Sequence, residues 1–477
     1  MSEPDLKSSA AKIADVDESA IKQFRSSFGG NLLRASDAGY DEARTIWNAM
    51  IDKKPGMIAV CRSSKDVKQS VDFAREHQLL TAIHGCGHNI AGNAICDDGL
   101  VIDLSQMKSV KVNPSTSTAE VEPGVTLGEF DAEAQKHGLA TPVGINSTTG
   151  IAGLTLGGGF GWLSRKRGLT ADCLRGAEIV TADGKIRHVS DSEDSDLFWA
   201  IRGGGGNFGI VTRFEFELFP VGPEVLSGLV VFPEKEIRKV LRRYRDYAAD
   251  LSDDTTVFAI LRQAPPLPFL PEAAHGSNII ALAFCHFGDA KEGEKALQGL
   301  RGLGEVLGEH TGVQPYVDWQ RAFDPLLTPG ARNYWKSHNL KELSDGLLDL
   351  AIEAAANVPN PQCEIFFAQL GGATNRVSEG ATAYPHRDAD FLTNVHSRWD
   401  NASDDRKCID WARDFFQRSV PYATGGVYIN FMTADETDRV KSGYGSSYDR
   451  LIKVKQKYDP TNLFRMNQNI SPNGSKS

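Results

Sequence analysis

Residues 141–161 read TPVGINSTTGIAGLTLGGGFG, and the fold turns on how they are read. The stretch has no charged residue, little side-chain bulk and three consecutive glycines, Gly157, Gly158 and Gly159. Glycine lets backbone approach a ligand closely and reach positive φ without steric cost. Successive N–H groups can then form concave nests for phosphate and other anions. The hydroxyls of Ser147, Thr148, Thr149 and Thr155 add short-range hydrogen bonding. One such run fits a surface loop equally well, but two more flank it: HGCGH at 84–88 and RGGGGNFG at 202–209. Three Gly-rich loops in one chain point to a large anionic cofactor held mainly by backbone.

At 477 residues the chain exceeds one compact core, which predicts two domains. Its 41% hydrophobic and 24% charged residues are those of a globular protein. The net charge of −10, from 52 basic and 62 acidic residues, leaves no electrostatic footprint for nucleic acid or an anionic membrane. The polar, acidic opening has no apolar signal-peptide core, and no apolar run is long enough to span a bilayer. The expectation is a soluble, cytoplasmic protein whose partners are small molecules. Seven dispersed cysteines with no C-x-x-C pair argue against a disulfide framework and a structural zinc site.

Residues 1–30 read as a mobile or loosely docked lead-in. From Met57 apolar runs alternate with helical patterns: 57–61, then a helix opened by Ser63 or Ser64 with Val67, Val71 and Ala74 on one face. The run 79–83 leads into HGCGH, and 100–104 and 119–121 read as strands. Thr126 and Glu129 form a capping box for a helix that ends at Gly138. Asp183-Gly184 after the strand 177–181 signals a hairpin. Gly204, Gly206 and Gly209 match G-x-G-x-x-G, but a helical DLFWAI precedes them and an alternating strand, 210–218, follows. A dinucleotide fingerprint needs the reverse order, so that reading is rejected. The turn-rich 220–223 marks a domain boundary. Beyond it, strands at 226–232, 257–261, 279–284 and 364–370 alternate with amphipathic helices, the clearest at 236–247.

Taken together, TAIHGCGHNIAG, residues 144–185, DLFWAIRGGGGNFGIVTRFEFEL, YWKS (334–337), AQLGGA (368–373) and the tail YDPTNLFRMNQNISP give the chain its resemblance. It resembles the FAD-linked oxidases of the vanillyl-alcohol oxidase, or PCMH-type, superfamily, in their berberine-bridge-enzyme-like branch. The resemblance implies an α+β fold: a PCMH-type FAD-binding domain of two α+β subdomains (1–222) and a substrate domain with an antiparallel sheet backed by helices (223–447). A C-terminal segment (448–477) returns to the FAD domain.

It also implies site residues. His88 stands where the family's histidine bonds the flavin 8α carbon, and neutral imidazole is a competent nucleophile. His84 takes the place of an arginine common in relatives. Asn146 stands where doubly linked relatives carry cysteine, so the expected link is a single 8α-histidyl bond with no cysteinyl bond. A metal reading of His84, Cys86 and His88 finds no fourth ligand. Gly150, Gly153 and Gly157–Gly159 are expected along the FAD pyrophosphate, with Gly85, Cys86, Gly87, Asn89, Thr148, Gly209, Ile210, Val211, Asn467 and Asn469 also around the cofactor. Thr149 falls at the position that gates dioxygen.

The base is where the sequence departs from the family. Sugar and alcohol oxidases carry Y-x-N-Y, whose last tyrosine takes the hydroxyl proton; here Phe431 closes the motif, and Ile90 replaces an aromatic residue. The remaining candidates are Tyr428, Glu364, Tyr334 and His338, with Lys336 and His386 read as structural. Desolvation is expected to raise the Glu364 pKa into a useful range. The resemblance implies hydride transfer from an apolar alcohol, amine or phenolic C–H to flavin N5, with dioxygen as acceptor and hydrogen peroxide as product. Two rival readings accompany it: a dehydrogenase using another acceptor, and a flavin-holding biosynthetic cyclase with no net redox change.

Overall fold

The computed structural model describes residues 10–474. Four strands form the first sheet, in the order β1 (Asn31–Leu33), β2 (Met57–Val60), β4 (Leu100–Asp103), β3 (Thr81–His84). β2, β4 and β3 run parallel. The helix Ser64–Glu76 covers this sheet because Val67, Val71 and Ala74 form one buried stripe, and Ser63 caps its first turn.

The second sheet is antiparallel: β5 (Val110–Asn113), β6 (Thr118–Val121) and, after the short β7 (Leu139–Ala140), β8 (Leu174–Val180), β9 (Ile186–Ser190) and β10 (Ile210–Glu217), in the order β5-β6-β10-β8-β9. The expected hairpin joins β8 to β9, with Gly184 at φ +74° in its turn. The Thr126–Glu129 capping box forms with both reciprocal bonds at the head of the helix Leu127–Gln135. A helix, Ser195–Ile201, does precede the 202–209 loop and strand β10 follows it, the reverse of a dinucleotide fingerprint.

One expectation is corrected here. The lead-in is docked from Ala10 onward: the helix Glu18–Ser27 buries Ile21 and Phe24, and Ile13 and Phe28 join them in the core under β2 and β4. Its apolar residues fall at helical spacing between charges, a pattern overlooked beside the polar opening; residues 1–9 lie outside the described part.

After β11 (Phe219–Pro220), which pairs with β7, the chain builds one seven-stranded antiparallel sheet. Its strands are β12 (Glu224–Pro233), β13 (Thr255–Gln263), β14 (Asn278–His286), β15 (Gly308–Pro315), β16 (Arg332–Leu340), β17 (Glu364–Gln369) and β18 (Phe391–Trp399), in the order β15-β12-β14-β13-β17-β18-β16. Apart from the edge strand β15, both faces are largely buried. Val257, Leu261, Ile365, Phe367, Val395 and Tyr334 pack against helices, including Ile237–Asp250, Asp345–Ala356 and Asp405–Ser419. Phe258, Ile260, Ala368 and Leu392 face the other way, onto Phe160, Trp162 and Tyr428 of the preceding and following segments. With side chains alternating along a strand, this second face also receives Arg262, Glu364, Phe366, Asn394, His396 and Trp335. Among the described residues no helix is long and apolar enough to cross a membrane.

Candidate active site

A cavity of about 340 Å³ lies between the Gly-rich loops and that second face of the large sheet. On one side it is lined by Gly85, Cys86, Gly87, His88 and Asn89, by Asn146, Thr149, Gly150 and Gly153, by Gly205, Gly206, Gly209, Ile210 and Val211, and by Asn467. On the other side stand Trp335, Glu364, Phe366, Asn394 and His396, with Tyr428, Asn430 and Phe431 between the two. The HGCGH loop leaves the carboxyl end of β3 and turns through Gly87 at φ +71°. Five successive N–H groups, Gly85 to Asn89, donate to no protein acceptor among the described residues. Unpartnered amides along a glycine-rich loop form an anion nest, and a Cβ at Gly153 or Gly206 would meet no atom within 4 Å. The residues present therefore fit the diphosphate and ring system of a bulky dinucleotide.

The tail completes the floor. Lys455, fully buried, bonds Asp459 and the carbonyls of Asn207 and Phe464, tying the helix Tyr448–Tyr458 to the 202–209 loop. Asn467 Nδ2 donates to Gly206 O at 3.1 Å.

The histidines of HGCGH diverge. His84 points inward, with Nδ1 3.0 Å from Asp103 Oδ1 on the neighbouring strand, and does not line the cavity. His88 faces the cavity, stacked on Trp47 at 5.2 Å between centroids, with Nε2 3.0 Å from Thr148 Oγ1. Burial, assisted by the nearby His84, lowers its pKa to about 4, so the ring is neutral at physiological pH. Burial raises the Cys86 thiol to about 12. Among the described residues no cluster of His, Cys, Asp or Glu could hold a metal ion.

Several expected placements are corrected. Gly157, Gly158 and Gly159 do not line the cavity: a Cβ there would strike Asn430, Tyr384 and Thr170 at 2.3, 2.9 and 2.3 Å respectively. Close packing against these three side chains accounts for the glycines. Thr148 acts behind His88 rather than at the cavity wall, and Asn469 stands outside the wall with a buried, unpartnered Oδ1. Tyr334 and His338 point to the helix-covered face of the sheet. Tyr334 OH donates to Asp435 at 2.6 Å, and His338 Nε2 meets Phe416 O at 3.1 Å. Burial and Asp435 push the Tyr334 hydroxyl far above its usual pKa. Tyr428 does reach the cavity, but its oxygen accepts from Gly159 N (3.1 Å) and Asn430 Nδ2 (3.0 Å), and burial raises its pKa to about 12. It braces the Gly-rich loop.

Glu364 is half-buried at the cavity wall, and its pKa moves opposite to the expectation. Desolvation raises it, but Arg262 Nη1 at 2.8 Å and His396 at 3.3 Å outweigh that and hold the carboxyl below its ordinary value. Register explains the cluster: Arg262 pairs with Glu364, Glu364 with His396 and His396 with Trp335, one row across four strands. His396 and Asn394 were missed in the sequence because every residue of β18 is buried, which erases the alternation that marks a face. Trp47, far upstream, carried no motif signal. On the cavity-lining Trp335 and Asn394, Nε1 and Oδ1 are buried without a protein partner.

Comparison with known proteins agrees with this geometry. Residues 55–190 match the FAD binding domain family and residues 427–471 the berberine and berberine-like family. An FAD-linked oxidoreductase from Dictyostelium discoideum is 31% identical, covering 95% of this chain and 97% of its own length. The chain belongs to the berberine-bridge-enzyme-like FAD-linked oxidoreductases. Within this family, the (R)-6-hydroxynicotine oxidase of Paenarthrobacter nicotinovorans is 30% identical over 94% of this chain and 98% of its own. A crystal structure of 6-hydroxy-D-nicotine oxidase from Arthrobacter nicotinovorans superposes with a TM-score of 0.83 at 28% identity, over 94% of this chain and 98% of that one. The family assignment makes FAD the cofactor, and the amide nest and glycine-lined wall are the residues that would hold it.

Proposed function

We propose that the protein is an oxidase that removes a hydride from a C–H bond of a small, largely apolar organic substrate, an amine or a phenol ahead of an alcohol. Dioxygen is the electron acceptor and hydrogen peroxide the product. The observation that carries this reading is one continuous cavity, with an anion nest and glycine wall on one side and the row Glu364–His396–Trp335 on the other. FAD, when bound, supplies the two-electron acceptor. In this reading residues 1–222 hold the cofactor, 223–447 the substrate, and 448–477 close the cofactor side, with His88 as the single covalent anchor.

The substrate side is walled by Trp335, Phe366, Phe431 and Phe160, which favour a planar apolar ring. Trp335 Nε1 and Asn394 Oδ1, both buried without a protein partner, are a donor and an acceptor behind this wall. The base is the Glu364–His396 pair. A carboxylate held ionised beside Arg262 is a weak base, which suits a C–H activated by nitrogen or a phenolic ring better than an unactivated alcohol. That the hydroxynicotine oxidase, a relative named for a nitrogen-heterocycle substrate, aligns along nearly the whole chain supports the same class.

The test is anaerobic mixing of the purified holoenzyme with panels of aromatic amines, phenols, alcohols and oligosaccharides while flavin absorbance is followed. Bleaching by amines or phenols, then colour recovery and hydrogen peroxide on admitting air, is the expected result. Recovery only with an added quinone would establish the dehydrogenase reading. Product formation without bleaching or oxygen uptake would establish the cyclase reading. Fast bleaching by oligosaccharides alone would refute the substrate class.

A further inference from the structure

The hydrogen bonds behind His88 determine which of its nitrogens carries a proton. Asn146 Oδ1 accepts the Thr148 backbone N–H at 3.0 Å, which fixes the orientation of the amide. The same oxygen lies 2.7 Å from Thr148 Oγ1, and a carbonyl can only accept, so the hydroxyl proton is committed to Asn146. The lone pairs of Thr148 Oγ1 are then left for His88 Nε2, 3.0 Å away. A lone pair facing a lone pair is unfavourable, so Nε2 bears the ring proton and Nδ1 bears the free pair. The one side-chain hydrogen bond of the ring among the described residues is that of Nε2 with Thr148, whose backbone also acts on the ring, and the ring lines the cavity. Trp47 stacks on the ring with planes 23° apart, and its own Nε1 is anchored on Leu327 O at 3.0 Å, so the plane is held as well.

We propose that Asn146 and Thr148 are positioning residues for flavin attachment, holding His88 in the Nε2–H tautomer so that Nδ1 is the nucleophile toward the cofactor's 8-methyl carbon. This rests on the reading of His88 as the covalent anchor. Asn146 then has a function of its own at the position where doubly linked relatives carry cysteine. The step balances as follows: one C–H bond of the methyl group and the Nε2–H bond are lost, and one Nδ1–C bond forms. Dioxygen takes the two electrons and two protons as hydrogen peroxide. After attachment Nε2 holds a lone pair, and the Thr148 hydroxyl turns to donate to it, while the Thr148 backbone N–H keeps Asn146 satisfied. A hydroxyl serves both states because it both donates and accepts.

The test uses full-length apoprotein made under riboflavin limitation and then given FAD. The acid-precipitable flavin is followed over time, with noncovalent FAD binding measured in parallel by fluorescence. Thr148→Val is expected to bind FAD normally but attach it roughly fivefold to tenfold more slowly, the worth of one hydrogen bond, with Thr148→Ser restoring the rate. Nitrogen-15 spectra of histidine-labelled wild-type apoprotein, with His88 assigned by comparison with His88→Ala, are expected to place the His88 proton on Nε2. Attachment of Thr148→Val at the wild-type rate, or a proton on Nδ1, overturns the proposal. Should Thr148→Val fail to bind FAD, the nitrogen spectra decide alone. Wild-type protein that binds FAD yet never bonds it overturns the covalent anchor and this proposal together, while substrate-dependent bleaching in that same protein would leave the oxidase reading standing.

Discussion

Replacing Glu364 with glutamine removes the negative charge from a buried row and leaves Arg262 without a counter-ion. The Arg262 and Glu364 side chains are only 12% and 15% exposed, and 2.8 Å separates their charged atoms. Breaking such a pair from one side costs about 3–5 kcal/mol. Glutamine keeps an acceptor oxygen for Arg262 or His396, so the lower end, about 3 kcal/mol, is the expected loss at neutral pH. The pH dependence has a definite sign. The folded carboxyl titrates below its ordinary value, so its contribution is complete above the unfolded pKa and fades as pH falls through the folded one. The gap between wild type and variant in urea unfolding should therefore be full near neutral pH and shrink as pH falls through the folded pKa. Flavin reduction by a good amine or phenol substrate should fall at least about 100-fold, the usual worth of a positioned base, with FAD retained. A stability loss under about 1 kcal/mol at neutral pH, the scale of an exposed pair, would refute the reasoning, as would a gap that acid leaves unchanged.

Three further outcomes follow from the same geometry. Phe431→Tyr places a hydroxyl among Tyr428, Trp335 and Phe160, whose rings lie 5.0, 5.2 and 5.8 Å away; stopped-flow reduction by alcohols should rise at least about tenfold, with amines little changed. Tyr428→Phe strips the acceptor from Gly159 N and Asn430 Nδ2, so thermal unfolding should show a loss of about 1–3 kcal/mol while flavin reduction persists. Tyr334→Phe acts on the far face of the sheet, where the hydroxyl bonds Asp435 and accepts from Arg413; steady-state kinetics should stay within about twofold of wild type, a margin well under the usual worth of a general base.

Most of the fold was legible because its signals are local. Ser63 and the Thr126–Glu129 box announce their helices, Asp183-Gly184 its hairpin, and the helix-then-strand order around Gly204–Gly209 excludes a dinucleotide fingerprint. The HGCGH loop was legible as a backbone cradle for the same reason, since glycine spacing is visible in one dimension. The substrate side was not. Which face of a doubly buried strand meets a cofactor depends on what packs against each side, so Tyr334 and Trp335, adjacent in sequence, were equally eligible until the sheet was assembled. Asn394 and His396 become recognisable only through register with Phe366 and Glu364. The run Gly157–Gly159 misled for a related reason: glycine reports close approach without naming what approaches, and here it is Asn430, Tyr384 and Thr170. Glu364 drew notice as a carboxylate in an apolar strand, but the partner that reverses its pKa shift, Arg262, is supplied by another strand.

The central claim is that the cavity between the Gly-rich loops and the large sheet holds FAD bonded to His88. Peptide mapping by mass spectrometry of the purified enzyme tests it most directly. The account predicts a single flavin adduct on the peptide carrying His88, absent from His88→Ala, with none on any peptide carrying a cysteine alone. FAD recovered wholly free from wild-type protein, or an adduct mapped to another residue, would contradict it.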